Sequence, residues 1–385
     1  MRIAIVSPGY PPAPGGVESV VAHSARALVR AGFEVEVLAQ ERRSELPPIE
    51  RDQGVLVRRF RTNKAENFRA APGLYQYLAR HAAEYDLVHG HSYHALVGVA
   101  SALVTSTRAK LTPFVLSPHF HGTGHTEARA LLHHLYTPLG RAAVLRSRAV
   151  VCVSPSEAEL FASRFPKAVS KISVIPNAVD TDTIRAAQAL VGEPPTILAV
   201  GRLEAYKRVD RLIRACGVLA GRSVLSPQLV VIGTGPDRAR LEALAAETCP
   251  AGSVRFLGRV EDGELHSWLR TARVLCSLSE HEAYGLAPAE ALAAGARVVL
   301  SDIPAHTQFT ALGRAGGAEL AALVDANADD AALAETLCRA VTADPPPSDA
   351  PSPIPGWDEI GGRLSALYIS LSQGVLATRP VGVLA

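Results

Sequence analysis

At 385 residues with 48% hydrophobic side chains, the chain is long enough for two domains, each burying its own core. A formal net charge of +2 creates no demand for a nucleic-acid partner, and no apolar run reaches the ~18–20 residues that a membrane-spanning helix requires. Five scattered cysteines (Cys152, Cys216, Cys249, Cys276 and Cys338), odd in number and without C-x-x-C, read as reduced thiols of a cytoplasmic protein.

The opening "MRIAIVSPGY" reads as a strand entering a turn, without the longer apolar region and cleavage site of a signal peptide. Short β-branched runs then alternate with helical patterns. "EVEVLA", "VLVRRF", "DLVHGH", "FVLS", "AVVCVS" and "ISVIP" continue the strands of the first half. "TILAVG", "LVVIGTG", "VRFLG", "RVLCSLS", "RVVLS" and "AALVDA" supply the second. Helical stretches such as "VESVVAHSARALVRAG" and "RARLEALAAET" lie between them. This alternation predicts α/β architecture: two doubly wound, Rossmann-like domains with parallel sheets and a cleft between them. The series restarts after "PNAVDTDTIRAAQALVGEPP", read as a linker, and a last helix is expected from Trp357 to about Ser372. The basic "VRRFRTNKAENFR" at 57–69 leaves peripheral contact with anionic lipid open, but a solvated loop beside a strand accounts for it.

In doubly wound sheets, ligands bind beyond the carboxyl ends of the strands. Paired glycines, Gly15 and Gly16, follow the first strand and let backbone approach a ligand, though neither a G-x-G-x-x-G nor a Walker loop is present. "LVHGHSYH" and "LSPHFHGTGHT" crowd His89, His91, His94, His119, His121 and His125 at one sheet edge. The two H-x-H pairs permit a metal, but no accompanying carboxylates stand out, so most are expected to line a cleft or pack, with His119 the functional choice. Asn177 and Asp180 read as turn formers.

In the second half, Arg202 and Lys207 follow a strand ending at Gly201. A guanidinium fork and an ammonium there suit a departing diphosphate. In "SEHEAYGLAPAEALAAG", a helix is expected from about Leu286 to near Gly295, with Pro288 in its first turn. Amides near Gly285 and Leu286 then favour an anion. Glu282 in the loop and Glu290 two turns into the helix suit hydroxyl groups on either side of it. Phosphate flanked by hydroxyls describes a sugar nucleotide; spacing alone leaves solvated glutamates equally open.

Taken in order, these elements resemble the retaining glycosyltransferases of the GT-B fold, specifically family four. The pattern comprises Gly15-Gly16, the strand-end His119, "V-S-x-S" at Val153 to Ser156, and "IPNAVD" where the family has "IPNGVD". It continues with Gly201, Arg202 and Lys207, then Gly233, Gly235 and Pro236, and ends with Glu282 and Glu290, with seven residues between them. The resemblance implies a donor held mainly by the second domain. Arg202 and Lys207 would bind its diphosphate, Glu290 its ribose and Glu282 the sugar hydroxyls, with Gly16 lending an amide to phosphate. Gly15, Gly201, Gly233, Tyr284, Gly285 and Leu286 complete that donor set. His119 would meet the sugar or the reacting groups. The acceptor would lie on the first domain, near His91, His121 and His125. The final helix would cross back, giving domains of 1–178 plus about 357–385, and 179–356. The co-substrate is a nucleotide-diphosphate sugar, UDP- or GDP-linked or similar, with no cofactor and no metal. Three departures bear on the donor: Ala283-Tyr284-Gly285 replaces Pro-Phe-Gly, Ala178 replaces a Gly, and Ala296-Arg297 replaces Thr-Pro. The rival readings are a metal-dependent hydrolase built on His89, His91, His119 and His121, and a non-catalytic sugar-nucleotide binding protein.

Overall fold

The computed structural model describes residues 1–13, 15–43, 45–63, 70–120, 127–221, 227–314, 319–346 and 351–374; of residues 127–136 only the backbone is described. The chain divides into two compact units, Met1–Asn177 with Trp357–Ala385, and Ala178–Gly356.

In the first unit the strands are β1 (Arg2–Ser7), β2 (Glu34–Glu41), β3 (Ile49–Asp52), β4 (Val55–Arg61), β5 (Leu87–His91), β6 (Phe114–Ser117), β7 (Ala149–Cys152) and β8 (Ile172–Val174). They form one sheet in the order β3-β4-β2-β1-β5-β6-β7-β8, parallel except that β3 pairs antiparallel with β4. The central strands read as almost unbroken buried runs, because helices cover both faces of a parallel sheet. β3 is the exception. It is a half-exposed "IERD" edge whose charges gave no strand signal in the sequence.

The second unit carries β9 (Thr196–Val200), β10 (Gln228–Ile232), β11 (Val254–Gly258), β12 (Val274–Ser277), β13 (Arg297–Ser301) and β14 (Ala321–Val324). Their order is β11-β10-β9-β12-β13-β14, all parallel. In both sheets the winding reverses beside the first strand, between β1 and β5 in one and between β9 and β12 in the other. Loops leaving the paired strands diverge there and open a crevice at their carboxyl ends.

One expectation changes. The stretch read as a linker, 176–195, is part of the second unit from Ala178 onward. Asp180 caps a helix at Thr181–Ala186, accepting from the Thr183 amide at 3.3 Å and its hydroxyl at 2.8 Å, and Ile184 is buried. In the basic stretch at 57–69, Arg58 donates to Glu36 at 2.8 Å, and Arg59 donates to the Pro11 carbonyl at 2.7 Å and pairs with Glu50 at 2.7 Å. Arg58 and Arg59 are thus held by partners within the unit, while Arg61 is exposed and residues 64–69 lie outside the described residues. No helix among the described residues is long and apolar enough to cross a membrane.

The last helix, Trp357–Ser372, belongs to the first unit. Trp357 stacks on His23 with ring centroids 5.3 Å apart, and Arg30 pairs with Asp358 at 2.6 Å. Gly361 sits so close to Ala27 that a β-carbon there would clash.

Candidate active site

In the second unit, the site grows from three strand ends. After β9 the chain turns through Ala205–Lys207 as a single 3-10 turn, and Arg208 adopts a left-handed φ of 52° before the helix Val209–Ala220. The Leu203 amide donates to the Thr234 carbonyl at 2.9 Å, tying this turn to the loop after β10. The Glu280 amide donates to the Tyr206 carbonyl at 2.9 Å, tying it to the loop after β12. These two backbone bonds bring together side chains 75 positions apart: Lys207 Nζ lies 2.5 Å from Glu282 Oε1, with both side chains 19% exposed. Burial pushes the Glu282 carboxyl up. The Lys207 ammonium outweighs that and holds it below the usual carboxylate range, with help from His306 and Ser279. A concavity beside the pair is lined by Gly201, Arg202, Lys207, Ser277 and Ser279. Arg202 stands at its rim, 67% exposed, donating to Glu204 at 2.6 Å and to the Tyr206 hydroxyl at 3.0 Å.

Gly233 has φ 139°, and a β-carbon there would strike the Gly201 carbonyl, so the floor between β9 and β10 requires glycine. Gly285, at φ 99°, starts the Leu286–Ala294 helix without any side-chain cap. That leaves the first-turn amides for a ligand. Glu290 lies on this helix, half-buried, with its carboxyl pushed up to about 7 by burial and then by Asp262.

Tyr284 stays in the loop before Gly285, but its side chain turns inward. It is buried, edge-on to Phe309 at 5.8 Å, and its hydroxyl has no hydrogen-bond partner among the described residues. The hydroxyl is enclosed in the core rather than offered to a donor sugar. A buried, unpaired hydroxyl costs about 1–3 kcal/mol. Tyr284→Phe is therefore expected to leave transfer unchanged and to hold or raise the melting temperature, as a thermal melt and a transfer assay on one preparation would check.

In the first unit, the glycine pair follows β1: Gly15 is the cap and Gly16 the first residue of the helix Gly16–Arg30, again without a side-chain cap. His91 ends β5, and His119 follows β6 with a left-handed φ of 46°. His91 Nδ1 lies 3.0 Å from His119 Nε2, and the two rings stack at 5.3 Å. His89 Nδ1 is 2.6 Å from the Tyr368 hydroxyl and its Nε2 is 2.9 Å from the Ser117 hydroxyl. Burial, then His119, pushes the His89 imidazole down to about 3, keeping it neutral. The rings stack and bond to one another and to hydroxyls. Among the described residues no three His, Cys, Asp or Glu side chains are placed to hold a metal. His121 and His125 lie outside the described residues.

Three residues escaped the sequence reading. Glu157 is fully buried, accepts from the Phe120 and Val153 amides at 2.5 Å each, and is pushed up to about 8 by burial. It pins the His119 loop to the end of β7; the S-x-x-E spacing from Ser154, whose hydroxyl accepts from the Glu157 amide at 3.0 Å, was its signal. His306 is buried and anchored through Nδ1 on the Ser301 carbonyl at 3.0 Å. Tyr368 reaches His89 from the last helix. Neither of these two carries a local motif.

Two Rossmann-like units, each with its candidate residues at the reversal of strand order, have the architecture of the GT-B glycosyltransferases. The family model described as "Glycosyltransferase Family 4" matches residues 14–183, and that of "Glycosyl transferases group 1" matches residues 180–349. The phosphatidyl-myo-inositol mannosyltransferase of Mycolicibacterium smegmatis is 31% identical over 345 residues, covering 86% of this chain and 84% of its own. The D-inositol 3-phosphate glycosyltransferase of Streptomyces avermitilis is 28% identical over 402 residues, covering 93% and 84%. Among solved structures, sucrose-phosphate synthase from Thermosynechococcus elongatus superposes with a TM-score of 0.76 at 21% identity, covering 97% of this chain and 99% of its own. The chain belongs to glycosyltransferase family 4.

Proposed function

We propose that this glycosyltransferase takes its sugar from a nucleotide-diphosphate donor and transfers it with retention at the anomeric carbon, without a metal. The observation that carries the reading is the Lys207–Glu282 pair, set beside the uncapped Leu286–Ala294 helix at the reversal between β9 and β12. Lys207 and Arg202 supply cations for the diphosphate, the helix amides add donors, and Glu282 and Glu290 accept from sugar and ribose hydroxyls. The C1–O bond to the diphosphate breaks, the acceptor oxygen bonds to C1 on the same face, and the acceptor proton passes to the departing diphosphate. Positioning and leaving-group stabilisation then matter more than a strong base. His119 meets the sugar or the reacting groups, and the acceptor is held by the first unit, as a small natural product, a lipid or a polysaccharide. Since relatives are named for inositol 3-phosphate and phosphatidyl-myo-inositol, a phosphorylated polyol is the first acceptor to try.

A thermal-shift panel of UDP, GDP, ADP, TDP and CDP with their common sugars, run with and without EDTA, tests the donor half. A donor at a hundred times its dissociation constant stabilises the native state by about 2.7 kcal/mol, or about 5–10 °C for a unit of this size. One clear hit that EDTA does not move is the expected result. A melting temperature that no nucleotide raises, and that EDTA lowers, would defeat the reading.

A further inference from the structure

We infer that His91 is a positioning residue, which holds His119 as the neutral tautomer with its proton on Nδ1. The inference rests on the reading of His119 as the functional histidine of the first unit, and it assigns that residue a single proton arrangement.

The contact is short and enclosed. His91 Nδ1 and His119 Nε2 are 3.0 Å apart, His91 is 3% exposed, and the rings lie within 24° of parallel. Of two neutral imidazoles in such a contact, one nitrogen donates and the other accepts. The distance alone does not say which. The far side of the His91 ring does. His91 Nε2 is buried and has no hydrogen-bond partner among the described residues. If His119 Nε2 carried the proton, the proton of His91 would sit on its own Nε2 as an orphaned N–H inside the protein. If His91 Nδ1 carries the proton, its Nε2 is only an unfilled acceptor. Orphaned buried N–H groups are the rarer and costlier of the two. His91 Nδ1–H therefore donates to His119 Nε2. A neutral His119 whose Nε2 accepts must carry its proton on Nδ1.

The surroundings keep the arrangement neutral. Burial, followed by His89 and His119, holds the His91 imidazole well below its ordinary range. His89, its ring tilted by 37° against that of His91 at 4.3 Å, is fixed at both nitrogens by Tyr368 and Ser117. Among the described residues no carboxylate hydrogen-bonds to His89 or His91. The His119 backbone is fixed as well: φ is 46°, and the next amide, that of Phe120, donates to Glu157. The position of the ring is thus set by backbone and its proton by His91. Its Nδ1 is the donor, which suits an oxygen acceptor rather than a proton to be abstracted.

Histidine-selective 15N labelling of the full chain reads the tautomer directly. In the wild type, His119 is expected to show a pyrrole-type Nδ1 and a pyridine-type Nε2. His91→Leu removes the donor, so that signature should collapse toward a tautomer mixture and kcat should fall roughly tenfold, the scale of one lost hydrogen bond. His91→Asn places an amide N–H near the position of Nδ1 and should restore both. A wild-type proton on His119 Nε2 would overturn the inference, even if His91→Leu fails to fold. So would an unchanged His119 signature in folded His91→Leu. A changed signature with unchanged transfer would instead uphold the tautomer assignment and count against the functional reading of His119, which His119→Ala tests separately.

Discussion

Lys207→Ala is expected to lower kcat by about 10²–10³-fold, the range seen when one preorganised donor to a developing negative charge is removed. The same variant also loses stability, for a reason unrelated to chemistry. Lys207 neutralises Glu282, and without it a largely buried carboxylate is left unpaired. A drop in activity alone would then be ambiguous. Glu282→Gln keeps a polar acceptor of the same shape while removing the charge, and should cost about 10–100-fold in kcat/KM through weaker hydrogen bonds to donor hydroxyls. The double variant, Lys207→Ala with Glu282→Gln, separates the two effects. Its melting temperature should recover most of what Lys207→Ala lost, because no buried charge remains unmatched, whereas transfer should stay as low as in Lys207→Ala. Near-normal turnover in either single variant would remove the pair from the site.

On the proposed reading, a diphosphate oxygen would share the Lys207 ammonium, which has three N–H donors, with Glu282 Oε1. The internal ion pair is then weakened as the ligand contact forms, so the net gain is smaller than the new contacts alone imply.

How much of this was readable before folding depends on the range of each cause. The helix starting at Leu286 and ending before Gly295, and that spanning Trp357–Ser372, were legible because caps, proline and periodicity act within one or two turns. The central strands were legible as apolar runs. β3 was not, since an edge strand facing solvent carries no such run. The stretch before β9 looked like a linker because Pro and Gly flank it, yet one capped turn and a buried Ile184 suffice to fold it into the second unit. At the site, residue types and order marked Arg202, Lys207, Glu282 and Glu290, but not that Lys207 and Glu282 bond to each other. That contact is set by the amides of Leu203 and Glu280, which bridge three loops and leave no trace in side-chain identity. The burial of the Tyr284 hydroxyl was hidden for the same reason: a hydroxyl in a loop reads as a ligand contact until its packing is known.

Glu290 offers a pH-dependent test of the donor site. Its carboxyl, pushed up to about 7 by burial and then by Asp262, has no hydrogen bond or ion pair to any described residue. A ribose diol donates to the ionised form, so donor affinity should rise with pH through about 7 and weaken about tenfold from pH 8 to pH 6, as the ionised fraction falls. An intact nucleotide sugar is the right probe, because its esterified phosphates stay ionised across that range. Glu290→Gln should flatten the profile, since an amide oxygen accepts at every pH. Stability moves in the opposite sense. A carboxyl whose folded value lies above its ordinary one binds an extra proton in the native state, so its contribution is retained below about 4.5 and is lost as pH rises through about 7. Glu157, pushed up to about 8, shifts stability in the same direction but is common to wild type and variant. The difference between them therefore isolates Glu290: Glu290→Gln should melt higher than wild type at pH 8 and no higher at pH 4.5. A donor profile equally steep in the variant would place the titrating group elsewhere, and equal melting temperatures at pH 8 would show that the Glu290 carboxylate already has a partner.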